Sequence, residues 1–381
     1  MTSNCFSDAD TNYMSRAIAL AKKGRFTTSP NPNVGCVIVN DGKIVGEGFH
    51  LKAGSPHAEV NALFLAKAHA KDATCYVTLE PCSHYGRTPP CALALTKAGV
   101  KRVVVAMVDP NPKVAGKGIK ILEDAGIQVD VGLLEDQAKS LNLGFIKRMQ
   151  HSQPRITVKL AASLDGKSAL KNGQSKWITG PDARIDVQYY RAQQSAILTG
   201  CGTVIADDPS LNIRYSELQK SPRFNDEIGQ ADLRQPIRIV LDSNNKLTLN
   251  EHLFTLPGKV LLVSLLARDD LDKKPFIADV EQLICLDDGA GKIDLKSLLV
   301  CLSEYEINDL WVEAGATLCG ALFKLDLVDE FIFYQAPKLM GNTARSLINL
   351  PELTKMSDVI ELNLQEVTII GNDIRIISNR D

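Results

Sequence analysis

One imidazole and two thiols, His57, Cys82 and Cys91, form a set that could hold a soft divalent metal. One carboxylate, Glu59, stands two residues from the imidazole. Zinc takes imidazole nitrogen and thiolate sulfur in a tetrahedron. A structural zinc closes all four positions with protein ligands, whereas a catalytic one keeps the fourth for water. Here the set offers three ligands and leaves Glu59 over. A carboxylate beside an activated water is suited to carry protons, taking one from the water and returning it to a leaving amine. The competing readings are a structural zinc knuckle, ordinary buried cysteines near a histidine, and a solvated glutamate. A structural site would normally present four protein ligands, which speaks against the knuckle.

The flanking residues indicate how these groups are carried. Ser55 is placed to cap a helix, Pro56 to occupy its first position, and His57 to Ala70 reads as helical. Residues two apart on a helix point about 200° apart, which turns Glu59 away from a ligand set that includes His57. Cys82 follows the apolar strand Tyr76–Leu79, where a helix could begin. A helix N-terminus and a nearby cation both favour thiolate. Upstream, Asp8 to Lys23 reads as an amphipathic helix with Met14, Ile18 and Leu20 on one side and Gly24 at its stop. A turn-rich entry, Ser29 to Gly35, leads to a hairpin of strands 36–39 and 44–49 about Asn40-Asp41-Gly42. Strand 74–79, helix 90–98, strand 102–108, helix 115–125, strand 127–131 and helix 134–149 then alternate. The run Arg102 to Val108 is continuously apolar after its arginine, as a central strand covered on both faces would be. The pattern predicts an α/β fold with a mixed sheet sandwiched by helices.

At 381 residues, two domains are expected. The polar, proline-containing stretch Gln150 to Pro154 is the natural boundary, giving domains 1–150 and 154–381. Beyond it come a strand from Arg155 to Ala162, a helix from Asp182 to Gln194, and strands at 195–200, 237–241, 259–264, 309–313, 329–335 and 373–377. Residues 215–236 are polar and read as a surface excursion. With 45 % hydrophobic and 23 % charged residues the composition is that of an ordinary globular protein, and a net charge of −2 gives no sign of a non-specific polyanion binder. Met1 to Arg16 has no apolar signal region, and no apolar run is long enough to span a bilayer. Nine cysteines, an odd number, read as reduced thiols in the cytoplasm. No nucleic-acid or membrane partner is expected.

A second set of residues could bind a nucleotide. Trp311-Val312-Glu313-Ala314-Gly315 and the residues to Leu322 read as strand, glycine turn and helix start, whose backbone amides can bind phosphate. The stretch is neither a Walker loop nor G-x-G-x-x-G, so a plain β-turn-α connection competes. Arg191 and Arg214 could fork onto a phosphate or simply be solvated. Trp177 could stack on a cofactor or plug a core. Lys159 stands in an apolar strand, which suggests a side chain pointing into a cleft.

Taken together these stretches resemble a known family, the bifunctional riboflavin-biosynthesis deaminase/reductases. The first half carries Asn31-Pro-Asn-Val-Gly35, His57-Ala-Glu59, Thr78-Leu-Glu-Pro-Cys-Ser-His84 with Gly86-Arg-Thr-Pro-Pro-Cys91, and Asp109-Pro-Asn-Pro112 with Val114-Ala-Gly116. The second half carries Lys159 to Gly166, Trp177-Ile-Thr179, Ala206-Asp-Asp-Pro209 and Trp311 to Gly315. The His-x-Glu and Pro-Cys elements are those of zinc deaminases. Eight residues separate Cys82 from Cys91 where that general pattern has two, and the longer spacing is this family's own. The resemblance implies a cytidine-deaminase-like three-layer α/β/α domain followed by a dihydrofolate-reductase-like α/β domain. It implies zinc-dependent hydrolytic deamination of 2,5-diamino-6-(5-phosphoribosylamino)pyrimidin-4(3H)-one, then NADPH reduction of the ribosyl group of 5-amino-6-(5-phosphoribosylamino)uracil to ribityl. By position, His57, Cys82 and Cys91 would hold zinc and Glu59 would move protons. Asn31, His50 and Arg87 would hold the pyrimidine ribotide. Ala161, Trp177, Thr203, Asp207, Ser243 and Gly315, Ala316, Thr317, Leu318, Cys319, Gly320 and Ala321 would surround NADPH. Ser175, Arg191, Leu211, Arg214 and Glu313 would surround the second substrate, with Lys159 polarising or protonating near the sugar. A homo-oligomer is also implied.

Three rival readings remain at this stage. One is a nucleic-acid deaminase using the same zinc chemistry on a flipped base, which the charge balance and the large second domain oppose. Another is a non-catalytic nucleotide sensor with a structural zinc. The third is a chain that keeps only one of the two activities.

Overall fold

The computed structural model describes residues 6–380 except 84, 86–88, 113 and 225–227. The chain divides into two compact units, Met1–Gln153 and Pro154–Asp381.

The first unit is built on α1 (Asp8–Ala21), β1 (Gly35–Asn40), β2 (Lys43–Phe49), α2 (Ala58–Ala66), β3 (Thr74–Val77), α3 (Cys91–Ala98), β4 (Arg102–Val105), α4 (Lys117–Asp124), β5 (Gln128–Val131), α5 (Glu135–Ser140) and α6 (Leu143–His151). Ser7 and Asp10 form a reciprocal capping box that starts α1. The Asp10 carboxylate also accepts from the Tyr76 hydroxyl and from Arg102, each at 2.7 Å, which ties the helix start to β3 and β4. The hairpin turn puts Asp41 and Gly42 at positive φ, as a two-residue β-turn requires. The five strands run in the order β2-β1-β3-β4-β5, with β1 antiparallel to β2 and β3, and β3, β4 and β5 parallel. Val103 and Val105 pack under α2, α3 and α4, whereas Val104 and Ala106 pack with α1 and α5. The expected three layers and the twice-covered β4 are therefore present.

Local details differ from the sequence expectation. His57 is not in the helix but at its N-cap, with φ −73° and ψ 167°, and α2 gives way to a 3-10 turn at Lys67–Ala70. Ser55 does not cap it; its hydroxyl closes a turn onto Lys52 instead. The helix that follows Cys82 starts at Cys91, not at Cys82. The single helix expected over 134–149 is broken into α5 and α6. Asn142 sits at the break, and its side-chain amide bridges the backbone of Asn33 through bonds of 2.7 and 3.0 Å.

The second unit comprises β6 (Arg155–Ser163), β7 (Lys167–Ala169), α7 (Pro181–Gln193), β8 (Ala196–Gly200), α8 (Cys201–Asp207), α9 (Tyr215–Leu218), β9 (Ile237–Leu241), β10 (Lys259–Ser264), β11 (Asp279–Ile284), α10 (Leu295–Glu304), β12 (Asp309–Val312), α11 (Ala316–Lys324), β13 (Glu330–Ala336), β14 (Arg345–Ser346), β15 (Asn363–Ile370) and β16 (Asp373–Asn379). Nine strands form one sheet, ordered β11-β10-β9-β8-β12-β6-β13-β16-β15. The first seven in that order are parallel, and β16 and β15 are antiparallel additions at the edge. Ile156, Val158 and Leu160 face α10 and α11, whereas Ile197, Trp311 and Ile332 face α7. The stretch 215–236 is more than a surface excursion, since Leu218, Ser221 and Leu233 are buried. The strands β11 and β15, and the short pair β7 and β14, were not anticipated.

Candidate functional site

Two sites emerge, one in each unit. In the first, the β3 and β4 carboxyl ends lie side by side, and α2 is pressed onto β2. Gly46 and Gly48 make this approach possible, because a Cβ on either would lie within 2.3 Å of an α2 carbonyl oxygen. The start of α2 therefore comes close to the segment leaving β3. His57 Nδ1 stands 3.6 Å from Cys82 Sγ and 3.4 Å from Cys91 Sγ. All three donor atoms lie within 4.8 Å of one another. With Zn–N near 2.0 Å and Zn–S near 2.3 Å, tetrahedral angles require an N···S separation of about 3.6 Å. The donor set therefore fits zinc both in chemistry and in spacing.

The electrostatics are those of a metal cradle. The Cys91 thiol, the His57 ring and the Cys91 backbone N–H, 3.2 Å away, pull Cys82 down to about 4 against its burial. Glu59 is 3 % exposed. Burial, and then the charge of Cys82, push its carboxyl up to about 7. It is not one of the three clustered donors.

Asn31 and His50 are brought to the same place. Asn31 Nδ2 lies 2.9 Å from His50 Nε2, and His50 Nδ1 lies 3.2 Å from the Pro56 carbonyl. The His50 and His57 rings meet edge to face at 5.2 Å. Burial lowers the His50 pKa, which favours a neutral ring. Arg87 lies outside the described residues.

In the second unit, β8 leads outward to β9, whereas β12 leads across β6 to β13. Adjacent parallel strands whose connections diverge open a crevice at their carboxyl ends, the usual ligand site of such sheets. Gly200 and Gly315, the residues capping α8 and α11, stand on its two sides. A Cβ on Gly315 would lie 3.9 Å from Thr203 Oγ1, and one on Gly200 would lie 3.9 Å from the Leu318 side chain. Ala316 and Thr317 complete the first turn of α11. The Ala316 carbonyl accepts from the Asn349 backbone N–H, and the Thr317 hydroxyl accepts from its side chain. Cys319, Gly320 and Ala321 turn away from the crevice. Cys319 is fully buried, Ala321 packs on the core, and a Cβ on Gly320 would lie 1.9 Å from the Asn349 carbonyl oxygen.

Lys159, Glu313 and Arg191 gather on the α7 face. Arg191 forks onto Glu313, with Nε to Oε1 at 2.6 Å and Nη2 to Oε2 at 2.8 Å. Lys159 lies 5.8 Å from the Tyr334 ring centroid, with Glu313 and Arg191 as its charged neighbours, and burial lowers its pKa. Ala161 follows on the same strand, opposite Tyr334. Leu211, at φ +49°, buries its side chain in the cluster of Ile197 and Trp311. Arg214 is partly exposed and pairs with Glu217 at 2.8 Å. Ser175 and Asp207 are joined by a 3.3 Å hydrogen bond. Trp177 is 64 % exposed, with the Arg184 guanidinium 4.5 Å over its ring. Ser243 follows β9, half-buried, and its carbonyl accepts from Leu265.

Sequence reasoning assigned no role to Trp311, whose indole N–H donates to Glu313 Oε1 at 2.7 Å. Its position two residues before Glu313 on one strand, hence on the same face, was the available signal. Glu217, three residues beyond Arg214 in a helical turn, was legible in the same way.

A His-Cys-Cys cluster with a buried carboxylate on a three-layer α/β/α sheet, followed by a parallel sheet with a crevice between diverging connections, points to a zinc-dependent deaminase linked to a reductase. Residues 7–107 match the cytidine and deoxycytidylate deaminase zinc-binding region, and residues 154–376 match the RibD C-terminal domain. The riboflavin biosynthesis protein RibD of Haemophilus influenzae is 53 % identical, covering 97 % of each chain. That of Escherichia coli is 52 % identical, covering 96 % of this chain and 98 % of the other. The solved structure of Acinetobacter baumannii RibD is 46 % identical with a TM-score of 0.89, covering 97 % of this chain and 98 % of that one. The diaminohydroxyphosphoribosylaminopyrimidine deaminase/5-amino-6-(5-phosphoribosylamino)uracil reductase of Thermotoga maritima is 32 % identical with a TM-score of 0.83, covering 98 % and 99 %. The chain belongs to the RibD family, the bifunctional deaminase/reductases of riboflavin biosynthesis. It is accordingly an enzyme with zinc and NADPH as cofactors, deaminating a diaminopyrimidinone ribotide and reducing the ribosyl group of the resulting aminouracil ribotide.

Proposed function

We propose that the deamination is carried by the first unit and the reduction by the second, through the residues gathered above. In the first unit His57, Cys82 and Cys91 hold zinc, which when bound supplies an activated water. Glu59 takes a proton from the attacking water and returns it to the departing amine. The observation that carries this reading is the separation of roles: three donors cluster within 4.8 Å, and the buried Glu59 stands beside them without joining them. Asn31 and His50 hold the pyrimidine, supported by their contact with each other and with His57. On the family resemblance, Arg87 takes the phosphate.

In the second unit the chemistry that NADPH would supply when bound is hydride, for the ribose C1′. Thr203 and the turn Gly315–Leu318 flank its crevice, with Ala161, Trp177, Asp207 and Ser243 around it. Cys319, Gly320 and Ala321 support that turn from the core. Ser175, Leu211, Arg214 and Glu313 face the ribotide. Arg191 forks onto the buried Glu313 and orients it; Arg214 forks onto Glu217 but is the more exposed of the two, and we assign it the phosphate. Lys159 places a proton donor or a positive charge near the opening sugar. We further propose that the enzyme works as a homo-oligomer, on the family resemblance, and in the cytoplasm, where the thiols of Cys82 and Cys91 stay reduced.

The test is to incubate the full chain with the diaminopyrimidinone ribotide, following ammonia release and then NADPH absorbance. Ammonia followed by stoichiometric NADPH loss is expected. Failure to produce either would favour the sensor reading.

A further inference from the structure

Glu80 is a buried carboxylate that the chemistry above does not use. It is 3 % exposed and stands two residues before Cys82. Its oxygens accept from four backbone N–H groups. Oε2 takes Asp109 at 3.1 Å and Gly116 at 2.9 Å, and Oε1 takes Gly118 at 2.8 Å and Ile119 at 3.3 Å. A carboxylate has about four lone-pair sites, so all are engaged, as a buried charge requires. The clasp also closes from the other side. Gly118 lies so near Pro81 that a Cβ there would be 1.9 Å from the Pro81 carbonyl oxygen. The Glu80 N–H in turn donates to the Met107 carbonyl at 3.0 Å. The segment carrying Cys82 and the loop after β4 are thus one fastened body. Both leave the carboxyl ends of neighbouring parallel strands, where α/β sheets bind their ligands.

We propose that Glu80 is a positioning residue of the deaminase, holding the backbone at Asp109 and at 116–119 as a wall of the pyrimidine pocket. The inference rests on the first unit being the deaminase. Glu80 acts through the loop, since both its oxygens are taken by backbone N–H groups.

The full-length variant Glu80→Gln tests it. An amide offers one acceptor oxygen and would set its own N–H₂ against two backbone donors. The expected result is wild-type zinc content and unchanged reductase constants, with KM of the deaminase for the ribotide raised about tenfold or more and kcat changed less than about threefold. Asp10→Asn is the control. It removes a different buried carboxylate from the same unit and should lower stability without moving KM. An unchanged KM in Glu80→Gln, or an equal rise in Asp10→Asn, overturns the inference while wild-type ammonia release keeps the deaminase reading intact. If Glu80→Gln does not fold, hydrogen exchange of the Glu59→Gln variant decides. The 108–119 peptide should gain protection when the unconsumed diaminopyrimidinone ribotide is added without NADPH, and absence of that gain overturns the proposal.

Discussion

Arg191 and Glu313 form a forked ion pair with side chains 10 % and 16 % exposed, and the Trp311 indole N–H shares the same carboxylate. An arginine whose donors are this fully committed fixes another residue in place. Arg191→Ala should therefore leave a buried, uncompensated carboxylate and destabilise the second unit by about 3–5 kcal/mol. Denaturant unfolding measures this. The double change Arg191→Met with Glu313→Gln should recover much of the loss without restoring reduction. A stable Arg191→Ala enzyme with only a raised ribotide KM would return Arg191 to the role of phosphate ligand.

The same pair sets an acid limit. Burial alone would raise the Glu313 carboxyl, but the charge and hydrogen bonds of Arg191, with Lys159 and Trp311, outweigh it and hold it at about 2, below its ordinary 4.5. A depressed carboxyl contributes stability that is complete above the unfolded value and is lost as pH falls through the folded value. The second unit should therefore weaken between about pH 4.5 and pH 2. Glu313→Gln should flatten that part of the curve, as monitored by thermal unfolding against pH. An unaltered acid limb in the variant would contradict this.

Glu59→Gln keeps the shape of the side chain and removes the proton carrier. Zinc content should be retained and ammonia release should fall at least about a hundredfold. NADPH consumption on the deaminated ribotide should be unaffected. Full deaminase activity in this variant would remove Glu59 from the mechanism.

Metal removal separates the two activities. Chelation should abolish ammonia release while the reduction of added aminouracil ribotide continues, and zinc should restore the first activity. Cys82→Ser or Cys91→Ser should lower metal stoichiometry, since thiolate is the preferred zinc ligand. Loss of both activities on chelation would contradict the assignment of zinc to one site.

Much of this was legible in residue order. The types His57, Cys82, Cys91 and Glu59 name a metal and a proton carrier whatever the fold, and apolar runs such as Arg102–Val105 mark their own strands. Helix starts were less legible. Ser55 bonds back to Lys52, and Asn142 spends its amide on Asn33, 109 residues away, a choice invisible from either neighbourhood. The strands β11 and β15 were missed because each pairs with one neighbour at a sheet edge. The exposed residues of Asn363–Ile370 carry no alternating pattern.

By itself, the order of residues determined the chemistry available and the local elements, because ligand type, propensity and apolar spacing act over a few positions. The tertiary structure decided which groups meet. His57 reaches Cys91 across 34 residues, and Arg191 reaches Glu313 across 122. The strand order that joins them, with β12 inserted between β8 and β6, is set by packing two helical layers onto one sheet. No local signal encodes that insertion, because it depends on burying apolar surface contributed by distant parts of the chain.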